Sequence, residues 1–258
     1  RSGDGSRTVR ATVLARLGEM EEPEQRVVLQ AAVIGRNFDV ELLARTLGEP
    51  LERVLEVLRK ARNKQLVHDD PDAPRRFAFH HSMIRDVLYR ELLVAETMLI
   101  HAKIATDLET HPPTPTRDAE LAYHWSAARN QEKAVAANER AADSAVAMFA
   151  HSDAARHYRA ALKTGVPDAR HRATLLEKLA LTLCRAGISD RTREALAAAL
   201  RGYAELGEND KLVDLLIAAS RQCWNDAESR AGVQFAERAL AMTRNGTHRH
   251  AYATSPST

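Results

Sequence analysis

Histidine side chains are the first candidates for chemistry in this sequence, because they can bind metal ions or transfer protons. Three histidines are considered for such a role. His80 and His81 are adjacent, and His101 lies further along the chain. Imidazole nitrogens bind metal ions and exchange protons near neutral pH. Adjacent residues of a strand point to opposite faces, so His80 and His81 cannot easily share one ion. The sequence therefore predicts no metal site.

The nucleophilic side chains lack the partners that covalent catalysis requires. Ser82 directly follows His81, but a neighbour in sequence is not a base within hydrogen-bond reach of the hydroxyl. Cys184 and Cys223 lie in apolar helical stripes without metal-ligand spacing, and we expect both to be inert core residues. Two lone cysteines favour a reducing compartment over a disulfide scaffold. These observations predict a cytoplasmic protein that is not an enzyme.

A phosphate-binding loop of the P-loop type does not occur in the sequence. Its pattern, G-x-x-x-x-G-K-[ST], is found nowhere in the 258 residues. The backbone cradle that holds the phosphates of ATP is thus missing. We expect that this chain alone binds no cofactor and does not hydrolyse ATP.

The composition favours closely packed helices as the elements that position these residues. Glycine (11) and proline (9) are scarce and aromatic residues make up 5%, which argues against turn-rich sandwiches and barrels. No run of 18 apolar residues is present, so no membrane segment is expected. The 37 Lys and Arg nearly balance the 35 Asp and Glu. This balance does not predict nucleic-acid binding for the whole chain.

Residues 1–110 combine helical and strand patterns. Apolar spacing predicts helices over 8–20, over 24–34, from Asp39 to Leu47 and from Pro50 onward. Leu66–His68 and Phe77–Phe79 then read as two short strands joined by a polar loop. Three helices followed by a β-hairpin predict a winged-helix domain, with further helices after it.

The second half of the chain reads as helix throughout. Three prolines within 111–116 predict a linker over 111–117, because proline cannot continue a helix. A helical array is predicted over 118–246, followed by a frayed polar tail over 247–258. The predicted helices are 118–129, 132–148, 151–163, 168–186, 190–206, 209–224 and 227–243.

The array repeats itself at a nearly constant interval. Ala-Leu pairs stand at 161–162, 199–200 and 239–240, spaced by 38 and 40 residues. Such a period predicts an α-solenoid of stacked helix pairs. Ala154, Tyr158 and Ala161 hold the small, aromatic and small positions of a tetratricopeptide second helix, whereas the other copies match loosely. A plain stack of helical hairpins is the alternative, and either surface binds partners rather than catalysing reactions.

One segment points to a family. Residues 77–89 read Phe-Ala-Phe-His-His-Ser-Met-Ile-Arg-Asp-Val-Leu-Tyr. The segment resembles the end of the winged helix in STAND-type regulatory ATPases, where a Phe-x-Phe-x-His strand leads into a Leu/Ile-Arg-Asp-x-x-Tyr helix. Four further stretches resemble the same family in the same order: 33–39, 99–108 with His101 and Ala105, 122–125 and 132–135.

The resemblance implies a regulatory, non-catalytic module of bacterial signal transduction and transcription. In such proteins an upstream ATPase domain binds ADP or ATP, and some carry a LuxR-type DNA-binding domain or a cyclase domain. His81 aligns with the histidine that contacts the diphosphate of ADP in the resting state. Alternatively, His81 only caps a helix or packs under the hairpin. The resemblance also implies that the chain is the middle of a longer protein, or a descendant that lost the ATPase.

A DNA-binding winged helix is the alternative function. Basic side chains near the hairpin could contact phosphates. These candidates are Arg59, Lys60, Arg62, Lys64, Arg75 and Arg76. Acidic residues at 52, 56, 69, 70 and 72 crowd the same surface, so salt-linked solvated faces explain the basic residues without DNA.

The helical array carries the candidate contacts for a protein or small-molecule effector. Large aromatic side chains either anchor a partner or pack between helices. The candidate anchors are Trp125, Tyr158 and Trp224. Four arginines would favour acidic partners if they share one face: Arg156, Arg159, Arg193 and Arg201.

Overall fold

The chain forms two compact units, residues 1–130 and residues 131–258. The computed structural model describes residues 3–70, 73–186, 189–225 and 229–245. In these ranges the structure is mainly helical, with one three-stranded sheet in the first unit. The helical content follows from an alanine-rich, glycine-poor sequence.

The first unit begins with a helix and continues with alternating helices and short strands. Its helices are α1 (Gly3–Gly18), α2 (Glu22–Ile34), α3 (Val40–Leu47), α4 (Leu51–Asn63), α5 (Ser82–Glu91), α6 (Val94–Glu109) and α7 (Pro115–Ala127). Its strands are β1 (Asn37–Asp39), β2 (Val67–Asp69) and β3 (Arg76–Phe79).

Helix α3 shows how the sequence sets these limits. The carboxylate of Asp39 accepts hydrogen bonds from the backbone N–H groups of Glu41 and Leu42, at 2.8 and 2.9 Å. These bonds satisfy donors that have no partner inside the helix. Gly48 ends the helix with a φ of 74°, a left-handed conformation that glycine adopts without steric cost. Both limits agree with the sequence prediction.

The sheet has the strand order β1-β3-β2, and both pairings are antiparallel. The predicted hairpin is present, with Val67 opposite Phe79. Strand β1 adds a third strand that was not predicted, because three residues directly before a helix show no alternating pattern. The ring of Phe38 in β1 stacks on Phe77 at a centroid distance of 6.1 Å and contacts Phe79 in a tilted arrangement at 5.5 Å.

Helix α2 lies at the centre of the first unit. It contacts α3, α4, α5, α6 and β1. Val28, Ala31, Ala32 and Val33 of this helix have no exposed surface. An element that is apolar around most of its circumference must be covered on several sides. Its burial therefore joins the surrounding elements into one core.

The boundary between the two units requires a correction to the sequence prediction. Helix α6 does end before the three prolines, but α7 begins at Pro115 and packs against α6. Proline is well tolerated in the first turn of a helix, where its missing N–H has no role. The division of the chain between the two compact units therefore falls after Asn130, rather than at the predicted linker over 111–117.

The second unit, in its described ranges, consists of helices that pack as consecutive pairs. They are α8 (Gln131–Ala147), α9 (His151–Thr164), α10 (Ala169–Arg185), α11 (Ser189–Glu205), α12 (Asn209–Asn225) and α13 (Ser229–Asn245). The pairs α8–α9, α10–α11 and α12–α13 agree with the predicted helices. The α-solenoid of helix pairs predicted from the repeat is thus the observed architecture.

The repeated alanines lie where the helices approach each other. Ala161 and Ala199 are fully buried, and Ala239 is 2% exposed. A Cβ on Gly202 would lie 3.0 Å from the Cβ of Ala173, so α10 and α11 leave no room there for a larger side chain. Small residues thus set the spacing of the stack. The predicted polar tail, 247–258, lies outside the described residues.

Candidate functional site

His81 stands at the start of α5, directly after β3 and His80. It occupies the N-cap position with extended backbone angles, φ −139° and ψ 147°. Its side chain is exposed and makes no capping hydrogen bond. The alternative in which His81 only caps the helix therefore lacks its hydrogen bond. An exposed imidazole beside the positive end of a helix dipole suits an anionic ligand.

Arg85, one turn further along α5, is held by the protein. Its Nε donates to the carbonyl oxygen of Ala32 at 2.8 Å, and its guanidinium pairs with Asp86 at 3.1 Å. The guanidinium carbon also lies 4.8 Å from the centroid of the Tyr89 ring. Arg85 thus fastens α5 to α2 and does not reinforce an anion site.

His80 lies beside His68 rather than sharing a ligand with His81. The two rings of His68 and His80 have centroids 4.9 Å apart. Burial, followed by the nearby His68, His81 and Arg16, lowers the pKa of His80. Among the described residues, no group of three or more His, Cys, Asp or Glu could hold a metal ion.

Carboxylates neutralise four of the six basic residues proposed for DNA contact. Each pairing lies within the first unit and joins a basic residue to an acidic one. The pairs are Lys60–Glu24, Arg62–Asp69 at 2.6 Å, Lys64–Glu19 and Arg75–Glu41 at 3.0 Å. The hydrogen bond from Lys60 lowers the pKa of Glu24. These pairs support the reading of salt-linked faces.

Arg59 and Arg76 are the two remaining candidates. Both side chains are exposed, and neither forms an ion pair with a residue that the structure describes. Asp69 is engaged by Arg62, whereas Asp72 lies outside the described residues. These two arginines could contact far fewer DNA phosphates than the six basic residues that the sequence suggested.

A buried histidine pair links two of the motifs that the sequence analysis treated separately. His101 of α6 has no exposed surface and His124 of α7 is 4% exposed. Their Nδ1 atoms are 2.8 Å apart, and the hydroxyl of Tyr89 lies 3.1 Å from Nε2 of His101. A neutral pair satisfies this contact when one Nδ1 donates and the other accepts.

Burial keeps both of these histidines neutral. It lowers the pKa of His101 to about 4, with a smaller contribution from Arg85. It lowers the pKa of His124 to about 3, with a smaller contribution from His101. Sequence reasoning noted both residues within family-like segments but missed their pairing, because they lie on different helices. The sequence signal that could have revealed the pair is the similar position of each histidine along its own helix, in two helices that follow each other in the chain.

Two of the three candidate aromatic anchors pack between helices, which is one of the two alternatives that the sequence left open. Trp125 is 3% exposed, and its Nε1 donates to Oε1 of Glu109 at 3.0 Å. Tyr158 is 2% exposed, and its hydroxyl donates to Asp143. Large rings fill the space between helices more effectively than the surrounding alanines. The side chain of Trp224, the third candidate, lies outside the described residues.

A polar seam joins the first helices of two successive pairs, α8 and α10. Lys178 Nζ donates to Glu139 at 2.8 Å and to Asp143 at 2.9 and 3.0 Å. His171 Nε2 lies 2.6 Å from Glu139. Burial by itself raises the pKa of Glu139. The hydrogen bonds from Lys178 and His171 outweigh burial, so the pKa of Glu139 is lowered overall. The seam fixes the register of these two helices.

The structure separates the four arginines that the sequence placed on one possible face. Arg193 and Arg201 of α11 line the same groove, together with Arg238 of α13. Arg156 instead pairs with Asp153 on α9 at 3.3 Å. Arg159 is half-buried and does not line that groove. Arg238 lines this groove but was not among the predicted arginines. It lies in the third repeat, where the match to the tetratricopeptide motif is loose.

Comparison with known proteins establishes no family for the chain. No protein-family model matches it, and neither does any curated protein sequence. Among solved structures, it is similar to a Signal Transduction ATPase with Numerous Domains (STAND) protein with a tetratricopeptide repeat sensor from Pyrococcus horikoshii, at 13% identity and a TM-score of 0.41. The match covers 91% of this chain and 46% of that protein's chain, so this chain spans about half its length.

None of the helices that the structure describes is both long enough and apolar enough to cross a membrane.

Proposed function

We propose that this chain is a non-catalytic regulatory module of a STAND-type signalling ATPase or transcriptional regulator. Helices α2 to α4 with the three-stranded sheet act as its winged helix, which controls the nucleotide-bound state of an upstream ATPase domain. The helical array of the second unit binds a partner or effector. Binding shifts the population between closed and open states. The protein is cytoplasmic and bacterial in this proposal.

The position of His81 carries the proposal. The motif over 77–89 places a phenylalanine-rich strand, an exposed histidine and the start of a helix in direct succession. The imidazole makes no capping bond and lies at the positive end of the α5 dipole. A diphosphate held by a neighbouring domain would find a hydrogen-bond donor and a favourable dipole there.

The supporting elements keep this histidine in place from behind. Arg85 attaches α5 to α2 through the carbonyl of Ala32. Leu88 of α5 is fully buried in the core of the first unit. A histidine that controls a neighbouring domain must stand on a helix that is firmly attached to its own domain. If only the side chain moved, its contact with the nucleotide would transmit no change between the domains.

The test uses the longer protein to which we assign this chain, with its ATPase domain in place. His81→Ala should accelerate ADP release by about tenfold, the loss of one charge-assisted hydrogen bond. Release is measured by stopped-flow fluorescence of a labelled ADP. His111→Ala, which removes another exposed histidine of the first unit, is the matched control. Equal release rates for wild type and His81→Ala would remove this role.

DNA binding is the competing function, and it has less support because four of the six candidate basic residues pair with carboxylates of the chain. Fluorescence anisotropy with a labelled mixed-sequence duplex separates the two functions. A DNA reader would bind with a steep salt dependence, and Arg59→Ala together with Arg76→Ala would abolish binding. Our proposal expects no binding at about micromolar protein and physiological salt.

A further inference from the structure

A cavity of about 700 Å³ lies within the first unit. Most of its lining residues belong to β1, to α3 and to α7, and α2, β3 and α6 each contribute one residue. Cavities of about 300–1,000 Å³ hold small molecules in proteins. The cavity therefore has the size of a ligand site, and the side chains that line it define the chemistry of the ligand.

Three charged residues that line the cavity are held by other groups of the first unit. The carboxylate of Asp39 caps α3. Glu41 pairs with Arg75 at 3.0 Å. Arg45 donates two hydrogen bonds to the carboxylate of Asp107, at 2.7 and 3.0 Å. These three charges already have partners in the fold, so a ligand gains little from them.

Glu120 of α7 and Arg76 of β3 are two further charged residues that line the cavity. Both side chains are exposed, and neither forms a hydrogen bond or an ion pair with a residue that the structure describes. The charge of Arg76 nevertheless acts on Glu120, because it opposes the rise in the pKa of Glu120 that burial causes. One positive and one negative group therefore share the cavity without direct contact.

Glu120 differs from other carboxylates of the first unit. Burial raises the pKa of Glu120, whereas hydrogen bonds from lysines lower the pKa of Glu19 and of Glu24. Solvent reaches the side chain of Glu120, and protein atoms still surround it closely enough to remove part of its hydration. A carboxylate in the wall of a concave site has both properties. Such a group gains from a cation that a ligand supplies.

The imidazole of His124 supplies a further polar group to the cavity. His124 lines the cavity and is 4% exposed. Its Nδ1 lies 2.8 Å from Nδ1 of His101, whereas its Nε2 forms no hydrogen bond with a residue that the structure describes. Because the imidazole is neutral, Nε2 donates or accepts one hydrogen bond, depending on which Nδ1 carries the proton. A polar atom of a ligand would complete this bond.

Partly exposed apolar side chains form another part of the lining. Leu42 of α3 and Leu108 of α6 are half-buried, and Tyr123 of α7 is 50% exposed. A ligand that covers these side chains removes apolar surface from water, which favours binding. The matching ligand therefore has a cation, an anion and an apolar group.

We propose that this cavity binds a small zwitterion of the amino-acid type, which is a free amino acid or a short peptide with apolar side chains. The ammonium group of the ligand pairs with Glu120, and its carboxylate pairs with Arg76. Its apolar side chain covers Leu42, Leu108 and Tyr123. This site is distinct from the effector binding that the proposed function places in the helical array. A nucleotide fits less well, because Glu120 would repel its phosphates.

The test titrates the whole chain with three probes, which are leucine, di-leucine and tri-leucine. Binding is measured by isothermal titration calorimetry at about 150 mM salt, where long-range charge attraction is screened. We expect saturable binding of at least one probe, and the length of the strongest binder distinguishes an amino acid from a peptide. The N-acetyl derivative of that probe lacks the ammonium charge, and its C-terminal amide lacks the carboxylate. Each derivative should bind at least about tenfold more weakly.

Neutral variants in the cavity assign each end of the ligand. Glu120→Gln should weaken binding of the strongest probe at least about tenfold. It should leave the affinity for the N-acetyl derivative unchanged, because that derivative has no ammonium group. Arg76→Gln should act in the same way on the probe and on its C-terminal amide. The matched controls are Glu52→Gln and Arg26→Gln, at exposed positions outside the cavity, and both should bind like wild type.

Three results would overturn the inference. They are no saturable binding of any probe at about millimolar concentration, equal binding of the probe and its two derivatives, and equal losses in the control variants. A thermal melt of each variant confirms that the chain remains folded, as expected for substitutions of exposed side chains. Failure here would leave the nucleotide-control role of His81 standing, because ADP release tests that role alone.

Discussion

The two units of this chain build their cores in opposite ways. In the first unit, α2 contacts four other helices and strand β1, so its neighbours share one core. In the second unit, the main contacts join each helix to the next one along the chain, from α8–α9 to α12–α13. Similar helical content can therefore produce either one shared core or a chain of nearest-neighbour contacts.

The largest expected difference between the units comes from core truncation. Leu58→Ala in α4 and Leu215→Ala in α12 each remove a side chain that is at most 1% exposed, and each should cost about 3 kcal/mol. Leu58→Ala should lower hydrogen-exchange protection across α2 to α5, because they share one core. Leu215→Ala should lower protection in α11 to α13 and leave α8 unchanged.

Hydrogen exchange followed by mass spectrometry reads both variants helix by helix. Loss of protection in α8 equal to that in α12 would show that the array unfolds as one unit. In that case the contrast between the two cores would be wrong.

Acid should weaken the first unit through its buried histidine pair. Unfolded histidine takes up a proton below about pH 6.5, whereas the folded pKa is about 4 for His101 and about 3 for His124. In this window the unfolded chain binds more protons, so stability falls as the pH falls from 6.5 toward 4. At pH 4 the expected loss is on the order of 3 kcal/mol for each of the two histidines.

Differential scanning calorimetry between about pH 7.5 and pH 4 measures this loss. His101→Gln combined with His124→Gln should flatten the dependence of the first unit's melting temperature on pH. His111→Gln, at an exposed histidine, is the control and should leave the dependence unchanged. An identical slope for the double variant and wild type would contradict the assignment.

Smaller effects are expected from two tyrosine hydroxyls in the second unit. Tyr158 of α9 donates to Asp143 of α8, and Tyr203 of α11 donates to Glu177 of α10 at 2.5 Å. Tyr158→Phe and Tyr203→Phe should each cost about 1 kcal/mol, because each leaves a carboxylate with one donor fewer. Nearest-neighbour packing predicts that the two losses add within about 0.5 kcal/mol.

Urea denaturation of the two single variants and the double variant measures this additivity. A double-variant loss far larger than the sum would mean that the two pairs are coupled. The array would then resemble the first unit more than the nearest-neighbour description allows.

Periodicity made the helices of the array predictable from sequence. The predicted helix 151–163 corresponds to α9 (His151–Thr164), and the prediction 209–224 corresponds to α12 (Asn209–Asn225). Short loops, alanine-rich faces and breaks near glycine or asparagine agree with one another at each limit. The hairpin was predictable for the same reason, since Phe77–Phe79 alternates with period two.

The candidate sites were less predictable, because they depend on which helices face each other. The sequence offered Arg193 and Arg201 as candidates without showing which face of the array they occupy, and only the fold brings them to one groove with Arg238 of the next pair. The same holds for Trp125, for which packing between helices is the favoured interpretation from sequence and an anchor for a partner the alternative. The burial of its ring agrees with packing.

Strand β1 and the unit boundary show a different source of error. Asn37–Asp39 becomes a strand because β3 supplies its hydrogen bonds, not through a pattern of its own. The linker predicted over 111–117 includes Pro115, although proline also suits the first turn of a helix, which is where the structure places it. In both cases local sequence permits two structures, and packing against a distant segment selects one.

The helix-pair construction of the second unit also determines how it would respond to mechanical load. Since its main contacts are between consecutive helices, tension on its ends would act on one interface after another. The described helices would then detach in a series of small steps, each at modest force. The first unit, whose elements share the core around α2, would instead yield in one abrupt event.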